Sequence, residues 1–258
     1  MIGRLFADRR RLAILRRIDR PAAVGIAIAQ AIVAAFGWFA DPIWLAVAIA
    51  AQLVLGGLAA IYVIGPARPE LGLARYAIPS IAGISATLFG KLIPGGLSLL
   101  LVPLVAVLLW AITYLELRIE KGTGGRTIGD LLLTSIVFSS SAGLLALFGP
   151  QTWPTPLLLV AILSAPVALR AAEARGTFGV EAVGQSLLHV LVVAEIGAGA
   201  VLLNLSLTVM AALIALAFYS WAGAVDAIRG GASGRAVAVE FGSLMLLGLI
   251  VGLVLHRP

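Results

Sequence analysis

The sequence contains no cysteine and only two histidines among its 258 residues. The absence of cysteine excludes disulfides, thiolate nucleophiles and cysteine-ligated metals. Since His189 and His256 are the only imidazole side chains, a histidine-rich metal site is not expected either. P-loop, HExxH and GxSxG motifs are also missing, so the enzyme classes that these motifs indicate find no support.

Charged residues are scarce as well. They make up 12% of the chain while 61% is hydrophobic, and a soluble domain usually carries about 25% charged residues. Several charge-free stretches reach about 20 residues, which is the length of a helix that crosses a hydrocarbon core of about 30 Å. Each span must be helical, because lipid offers backbone groups no water. The composition therefore predicts an all-α, polytopic integral membrane helical bundle.

The apolar runs, and the Gly- and Pro-containing turns between them, predict about nine transmembrane helices. The predicted spans are 22–40, 43–65, 76–93, 97–115, 128–149, 155–171, 179–203, 206–228 and 236–255. The sequence has no internal repeat, and no loop is long enough to hold a soluble domain. Residues 21–258 are therefore expected to form a single transmembrane helical domain.

The basic residues indicate how this layout is oriented. If the N-terminus is cytoplasmic, every lysine and arginine except Lys91 and Arg257 lies on the inner side, as the positive-inside rule requires. The odd number of spans then places the C-terminus outside, and we expect a multi-pass protein of the cell inner (plasma) membrane. Because topology accounts for the net charge of +6, a nucleic-acid partner is not expected.

Residues 1–20 carry seven arginines interleaved with apolar side chains. This pattern predicts a basic amphipathic helix on the inner leaflet. The alternative is a signal peptide with 22–40 as its apolar core. The bulky residues from Gly37 to Asp41 argue against cleavage, and eight further spans follow.

The seventh span carries four polar side chains, Glu181, Gln185, His189 and Glu195. At about 100° per residue, Glu181, Gln185 and Glu195 share one narrow helix face, and His189 lies at its edge. A polar stripe of this kind can line a cavity, relay protons or hold a cation. Alternatively, Glu181 is interfacial, and neighbouring helices satisfy His189 and Glu195. The sequence leaves both interpretations open.

A second group of charged residues is predicted at the inner ends of the helices. It comprises Asp130, Glu181, Asp226 and Glu240, with Arg118, Lys121, Arg126, Arg170, Arg175, Arg229 and Arg235. Together they could form a mixed-charge mouth that accepts an anionic head group or a metal-bound phosphate. The alternative is structural, because Thr127 and Asp130 form a capping box and topology alone explains the arginines.

Three stretches of the chain resemble the UbiA family of membrane prenyltransferases. They are Arg20-Pro21 before the first span, the run from Tyr114 to Gly149, and the loop from Arg170 to Gly176 followed by Gly179. The resemblance implies nine spans with a cytoplasmic N-terminus. It also implies an isoprenoid substrate whose diphosphate is held through Mg²⁺ by two aspartate-rich motifs.

The chain departs from the family at both acidic motifs. The loop between spans two and three has Glu70 as its only acid, and the second motif keeps only Glu173. Magnesium-bound phosphate needs several converging carboxylate oxygens. Mg²⁺ is therefore expected only if the resemblance holds, and the resemblance implies the fold more directly than it implies prenyl transfer.

Three functions remain open. The first is binding or modification of a lipid or isoprenoid at a cytoplasm-facing cavity. The second is small-solute or proton-coupled transport, with Glu195 and His189 as a buried titrating pair. The third is a structural or assembly subunit in a homo- or hetero-oligomer within the membrane. The candidate site residues are Glu181, Gln185, His189, Glu195, Glu173, Arg170, Arg175, Asp130 and Asp226.

Overall fold

The structure of the chain is a computed structural model that describes residues 2–64, 72–93, 95–120, 126–148 and 154–255. Side chains are described from Pro21 onward, apart from some residues beside the gaps. Glu70 and Lys121 therefore lie outside the described residues, as do the side chains of Arg118, Arg126 and the basic N-terminal segment. Within these ranges the regular structure consists only of helices, which confirms the predicted class.

The described residues form nine α-helices. Their bounds are α1 Ile2–Phe39, α2 Pro42–Ala59, α3 Ile78–Phe89, α4 Val102–Glu120, α5 Arg126–Phe148, α6 Thr155–Ala174, α7 Gly179–Leu202, α8 Leu207–Arg229 and α9 Gly234–Leu255. A π-helical turn, Ala60–Ile64, extends α2, and 3-10 segments occupy Ala74–Tyr76, Gly90–Leu92 and Gly95–Leu101.

Seven of these helices are long and apolar enough to cross a membrane. The segments Ile78–Leu92 and Ser98–Tyr114 are shorter apolar helices. The first helix runs without interruption through Pro21, so the predicted interfacial segment and the first span belong to one helix. How residues 1–20 lie relative to a membrane stays a prediction.

The turn between α1 and α2 shows why the chain reverses where it does. Asp41 accepts hydrogen bonds at its Oδ1 from the backbone N–H groups of Ile43, at 3.1 Å, and Trp44, at 3.0 Å. Pro42 occupies the first helical position, where its missing N–H costs nothing. An aspartate cap followed by proline therefore starts α2 immediately after α1 ends.

The bundle has two halves that meet mainly at α3 and α5. In one half α1 contacts α2, α3 and α4, and in the other α8 contacts α5, α7 and α9. Gly143 of α5 lies directly against the backbone of α3, since a Cβ there would be 2.5 Å from the carbonyl carbon of Leu88. The absence of a side chain at Gly143 thus sets how closely the two halves approach.

Two buried glutamines hold the first three helices together. Gln30 Nε2 donates to the Pro79 carbonyl at 2.9 Å. Gln52 Nε2 donates to the Gln30 carbonyl at 2.8 Å and to Thr87 Oγ1 at 3.0 Å. Both amides are almost fully buried, so breaking either contact would strand a polar group inside the bundle. The sequence analysis did not single out these two residues.

We expect Gly143→Ala to destabilise the protein, because the new methyl group must push α3 and α5 apart. Overpacking of this kind costs about 1–3 kcal/mol. The measurement is the melting temperature of the purified protein in detergent. Gly184→Ala is the matched control, since a Cβ at Gly184 on α7 meets nothing within 4 Å. Equal melting temperatures for the two variants would contradict the close α3–α5 contact.

Candidate functional site

The arginine end of the bundle is the end where α6 and α8 finish and α5 and α7 begin. Arg175, directly after α6, is its central residue. Its Nη2 lies 2.8 Å from Asp130 Oδ2, and its Nε lies 3.0 Å from Asp226 Oδ2. Its Nη1 donates to the Ala171 carbonyl at 2.8 Å. Only 3% of the side chain is exposed. One guanidinium group therefore links α5, α6 and α8.

A second arginine extends this network toward α7. Arg229, the last residue of α8, donates to the Arg175 carbonyl at 3.2 Å and to the Thr177 hydroxyl. Its Nη2 also lies 3.4 Å from Glu181 Oε1, and Gln185 Nε2 donates to the same oxygen at 3.2 Å. Glu181 is largely exposed, so this outer pair contributes little to stability.

Glu173 has a structural partner at the same end. Its carboxylate accepts hydrogen bonds from the backbone N–H groups of Leu73, at 2.8 Å, and Ala74, at 3.1 Å. Gly72, with a φ of 84°, lets the backbone approach, since a Cβ there would be 2.2 Å from the Glu173 carboxyl carbon. Arg170 is also buried at this end of α6. Glu173 thus caps the segment that leads into α3.

His189 is buried against α8. Its Nε2 lies 2.9 Å from the Phe218 carbonyl oxygen, and its ring stacks on the Phe218 ring with centroids 4.2 Å apart. A carbonyl oxygen can only accept, so Nε2 carries the hydrogen. The interpretation in which a neighbouring helix satisfies His189 is therefore confirmed.

Glu195 differs from the prediction. It is exposed on the surface of the single chain, and it makes no hydrogen bond or ion pair within the described residues. Its separation of six residues from His189 corresponds to about 120° around a helix, so the two side chains lie on different faces. The predicted buried pair of Glu195 and His189 is therefore wrong for the single chain.

Two cavities adjoin each other beneath the arginine end. A polar pocket of about 20 Å³ lies between α6, α7 and α8 and is lined in part by Arg175, Gln185 and His189. This volume fits a single water molecule. An apolar groove of about 200 Å³ lies between α7, α8 and α9 and includes Gly242 in its lining. Trp221 lines both cavities.

The α7–α9 groove contains one unpartnered polar group. Ser220 is one of its lining residues, it is only 4% exposed, and its Oγ has no hydrogen-bond partner among the described residues. A buried hydroxyl without a partner costs about 1–3 kcal/mol. Neither Ser220 nor the contact of Thr177 with Arg229 was predicted, because each depends on how α8 packs.

The described residues do not fit a magnesium site. They contain no group of three or more histidine, aspartate or glutamate side chains that could hold a metal ion. Glu173, to which the UbiA resemblance assigns the second acidic motif, already accepts hydrogen bonds from two backbone N–H groups. Asp130 and Asp226 are paired with Arg175. Glu240 is exposed on α9, without an ion pair in the part of the chain that is described.

Comparisons with known proteins do not assign the chain to a family. No protein-family model matches the sequence, and no curated protein or solved structure matches it. The fold and the site therefore define a class only: a helical bundle whose apolar helices can cross a membrane, with a neutralised charge cluster at one end.

We expect Arg175→Gln to lower the stability of the protein by about 3 kcal/mol, because two partly buried carboxylates lose the cation between them. The measurement is the melting temperature in detergent. Arg235→Gln is the control, since Arg235 is exposed at the start of α9. An unchanged melting temperature for Arg175→Gln would show that Arg175 does not hold α5, α6 and α8 together.

Proposed function

We propose that the protein is a multi-pass inner-membrane protein that binds a lipid or isoprenoid. The hydrocarbon chain lies in the α7–α9 groove, and the polar group lies toward the arginine end. The observation that carries this proposal is the position of Trp221, which lines both the apolar groove and the polar pocket. The groove fits an apolar chain. Because the polar pocket has room for only one water molecule, the head group would lie outside it, at the surface of the arginine end.

The depth of the groove supports this arrangement. Its α8 residues run from Ala217 to Ala224, which are 12 and 5 positions before Arg229 at the arginine end. At about 1.5 Å per residue, they lie roughly 8–18 Å inside that end. A lipid in the adjoining leaflet places its chain at this depth. The exposed Arg229 and Arg235 would then lie near its head group.

Selectivity must come from the polar groups of the site. A chain that leaves the bilayer for the groove exchanges one apolar environment for another, so the hydrophobic effect adds little. Ser220 supplies a free hydroxyl within the groove. Arg175 already has two carboxylate partners, so it positions the helices rather than neutralising a phosphate.

We propose that the protein binds a lipid or isoprenoid and does not transfer a prenyl group. The UbiA resemblance would require several carboxylates that converge on Mg²⁺, and the described carboxylates at this end, apart from the exposed Glu240, have other partners. We therefore propose a UbiA-like arrangement of helices whose ligand is held independently of magnesium.

The proposal includes nine membrane crossings with the N-terminus in the cytoplasm. Nearly every residue from Ile78 to Leu88 is buried within the bundle, and a helix surrounded by protein does not need the full thickness of the bilayer. The short segment Ile78–Leu92 can therefore still belong to a crossing. The uneven distribution of arginine between the two sides supports the orientation.

Two alternatives remain. An assembly subunit is favoured by Glu195, whose carboxylate faces outward from α7 without a partner in the described residues, because such a group in lipid calls for a neighbouring chain. The hypothesis of a proton-coupled transporter depended on a buried pair of Glu195 and His189, and the single chain does not bring these two side chains together. Its remaining support is the buried His189 beside the polar pocket.

Cysteine labelling tests the orientation, because the natural chain has no cysteine and each substitution creates a single thiol. Ser206→Cys lies before α8, and Ala232→Cys lies between α8 and α9; both positions are exposed. We expect a membrane-impermeant maleimide added to intact cells to label Ser206→Cys but not Ala232→Cys. Permeabilised cells, in which both should react, are the control. The reverse labelling would overturn the proposed orientation.

Filling the groove tests the proposed function. A leucine at Gly242 would occupy space in the groove, since nothing lies within 4 Å of a Cβ there. We expect farnesol and farnesyl diphosphate to raise the melting temperature of the natural protein, with or without Mg²⁺, and Gly242→Leu to abolish the effect. A ligand at about 100 times its dissociation constant adds roughly 2.7 kcal/mol.

Gly25→Leu is the matched control, because Gly25 on α1 is equally open and lies outside the groove. The same stabilisation in Gly242→Leu and Gly25→Leu would exclude the groove. Stabilisation by the diphosphate only in the presence of Mg²⁺ would contradict magnesium-independent binding. No stabilisation by either probe, together with an oligomer that Glu195→Leu dissociates, would favour the assembly subunit.

A further inference from the structure

A third cavity, slightly larger than the α7–α9 groove, lies between the first half of the bundle and α5. We call it the serine cleft. It has a volume of about 220 Å³ and lies between α1, α3, α4 and α5. Trp38 and Phe89, near the ends of α1 and α3 that face away from the arginine end, are part of its wall. The serine cleft is therefore separate from both the polar pocket and the α7–α9 groove.

Among the described residues, none that lines the serine cleft is charged. Its polar side-chain groups are the Trp38 indole N–H and the hydroxyls of Ser85, Ser135 and Ser139. Trp38 Nε1 donates to the Ala86 carbonyl at 3.0 Å, and Ser135 donates to the Leu131 carbonyl at 2.8 Å. These two groups are satisfied by the protein itself.

The hydroxyls of Ser139 and Ser85 make no hydrogen bond among the described residues, and of the two only Ser85 is almost fully buried. Ser85 is only 2% exposed, and its Oγ has no hydrogen-bond partner in the part of the chain that is described. Hydroxyls inside helices commonly donate back to a carbonyl one turn earlier, as Thr87 does to Gly83 at 2.8 Å. Ser85 lacks this bond although it lies on the same helix. Its hydroxyl is thus an unpartnered donor on a residue that lines an apolar cavity, and rotation about its Cα–Cβ bond is what would turn it toward a ligand.

We propose that the serine cleft is a binding site for an uncharged, chain-bearing molecule whose carbonyl oxygen accepts a hydrogen bond from Ser85. The ligand is uncharged because a buried charge without a counter-charge is costly in this environment. It carries a chain because the remaining wall is apolar, and it carries an acceptor because the Ser85 hydroxyl needs one. The inference does not depend on the function proposed for the α7–α9 groove.

Two substitutions and one control separate binding from folding. Ser85→Ala removes the donor and should weaken binding about fivefold, the effect of one neutral hydrogen bond. Leu104→Trp adds bulk at an exposed position of the cleft lining and should abolish binding. Ser141→Ala is the control, because the Ser141 hydroxyl is also buried and unpartnered but lies outside the serine cleft.

The probe is 2-dodecanone labelled with ¹³C at its carbonyl, bound to the full-length protein in lipid nanodiscs. We expect saturable binding and a carbonyl stretching band at lower frequency than in empty nanodiscs. The band should return to the free position in Ser85→Ala and stay shifted in Ser141→Ala. Dodecane, which has no acceptor, and dodecanoate, which is charged, should bind more weakly than the ketone.

Three results would overturn the proposal. They are an unchanged band in Ser85→Ala, saturable binding that persists in Leu104→Trp, and dodecane or dodecanoate binding as tightly as the ketone. Gly242→Leu distinguishes the two sites. It should leave ketone binding intact even though it fills the α7–α9 groove, so the failure of one proposal does not imply the failure of the other.

Discussion

A guanidinium group that is almost fully buried must obtain its hydrogen bonds and its counter-charge from the protein. Arg175, at the end of α6, donates hydrogen bonds to Asp130 of α5 and to the Ala171 carbonyl, and Asp130 together with Asp226 of α8 supplies its counter-charge. The position of three helices therefore depends on one cation. Because both aspartates are committed to Arg175, the arginine end is a closed network rather than an open anion site. The cavities nearby follow from how these helices are held.

The closed network separates structural from binding roles among the charged residues. Arg175 links three helices through its ion pairs with two aspartates. Glu173 accepts hydrogen bonds from the backbone segment that leads into α3. The space open to a ligand is apolar, and each of the two larger cavities contains one buried serine hydroxyl without a partner, Ser220 or Ser85. The ligands that we propose would therefore be recognised by shape and by single neutral hydrogen bonds, with charge acting only at the surface of the arginine end.

Much of the fold could be predicted because lipid leaves few alternatives. Charge-free runs of about 20 residues predict helices, and Asp41-Pro42 marks a turn through capping chemistry. The grouping of Asp130, Arg175, Asp226 and Glu181 at one end also followed from the topology. Helix periodicity could place Glu195 on the same face as Glu181, but it could not tell whether that face meets protein or lipid. Glu195 faces outward, whereas His189 packs against Phe218 of α8.

The sequence by itself determined the helical class, the approximate helix boundaries and the collection of charges at one end, because hydrophobic length and charge are local properties of the chain. Tertiary structure alone decided which carboxylate pairs with which arginine. It also decided that Gln30 and Gln52 link α1, α2 and α3 through buried hydrogen bonds. The hydroxyls of Ser85 and Ser220 were left without a partner among the described residues. These outcomes depend on the rotation of each helix and on close contacts such as that of Gly143 with Leu88. A shift of one residue along a helix turns the side chain by about 100°. Composition does not specify which face of each helix meets its neighbours.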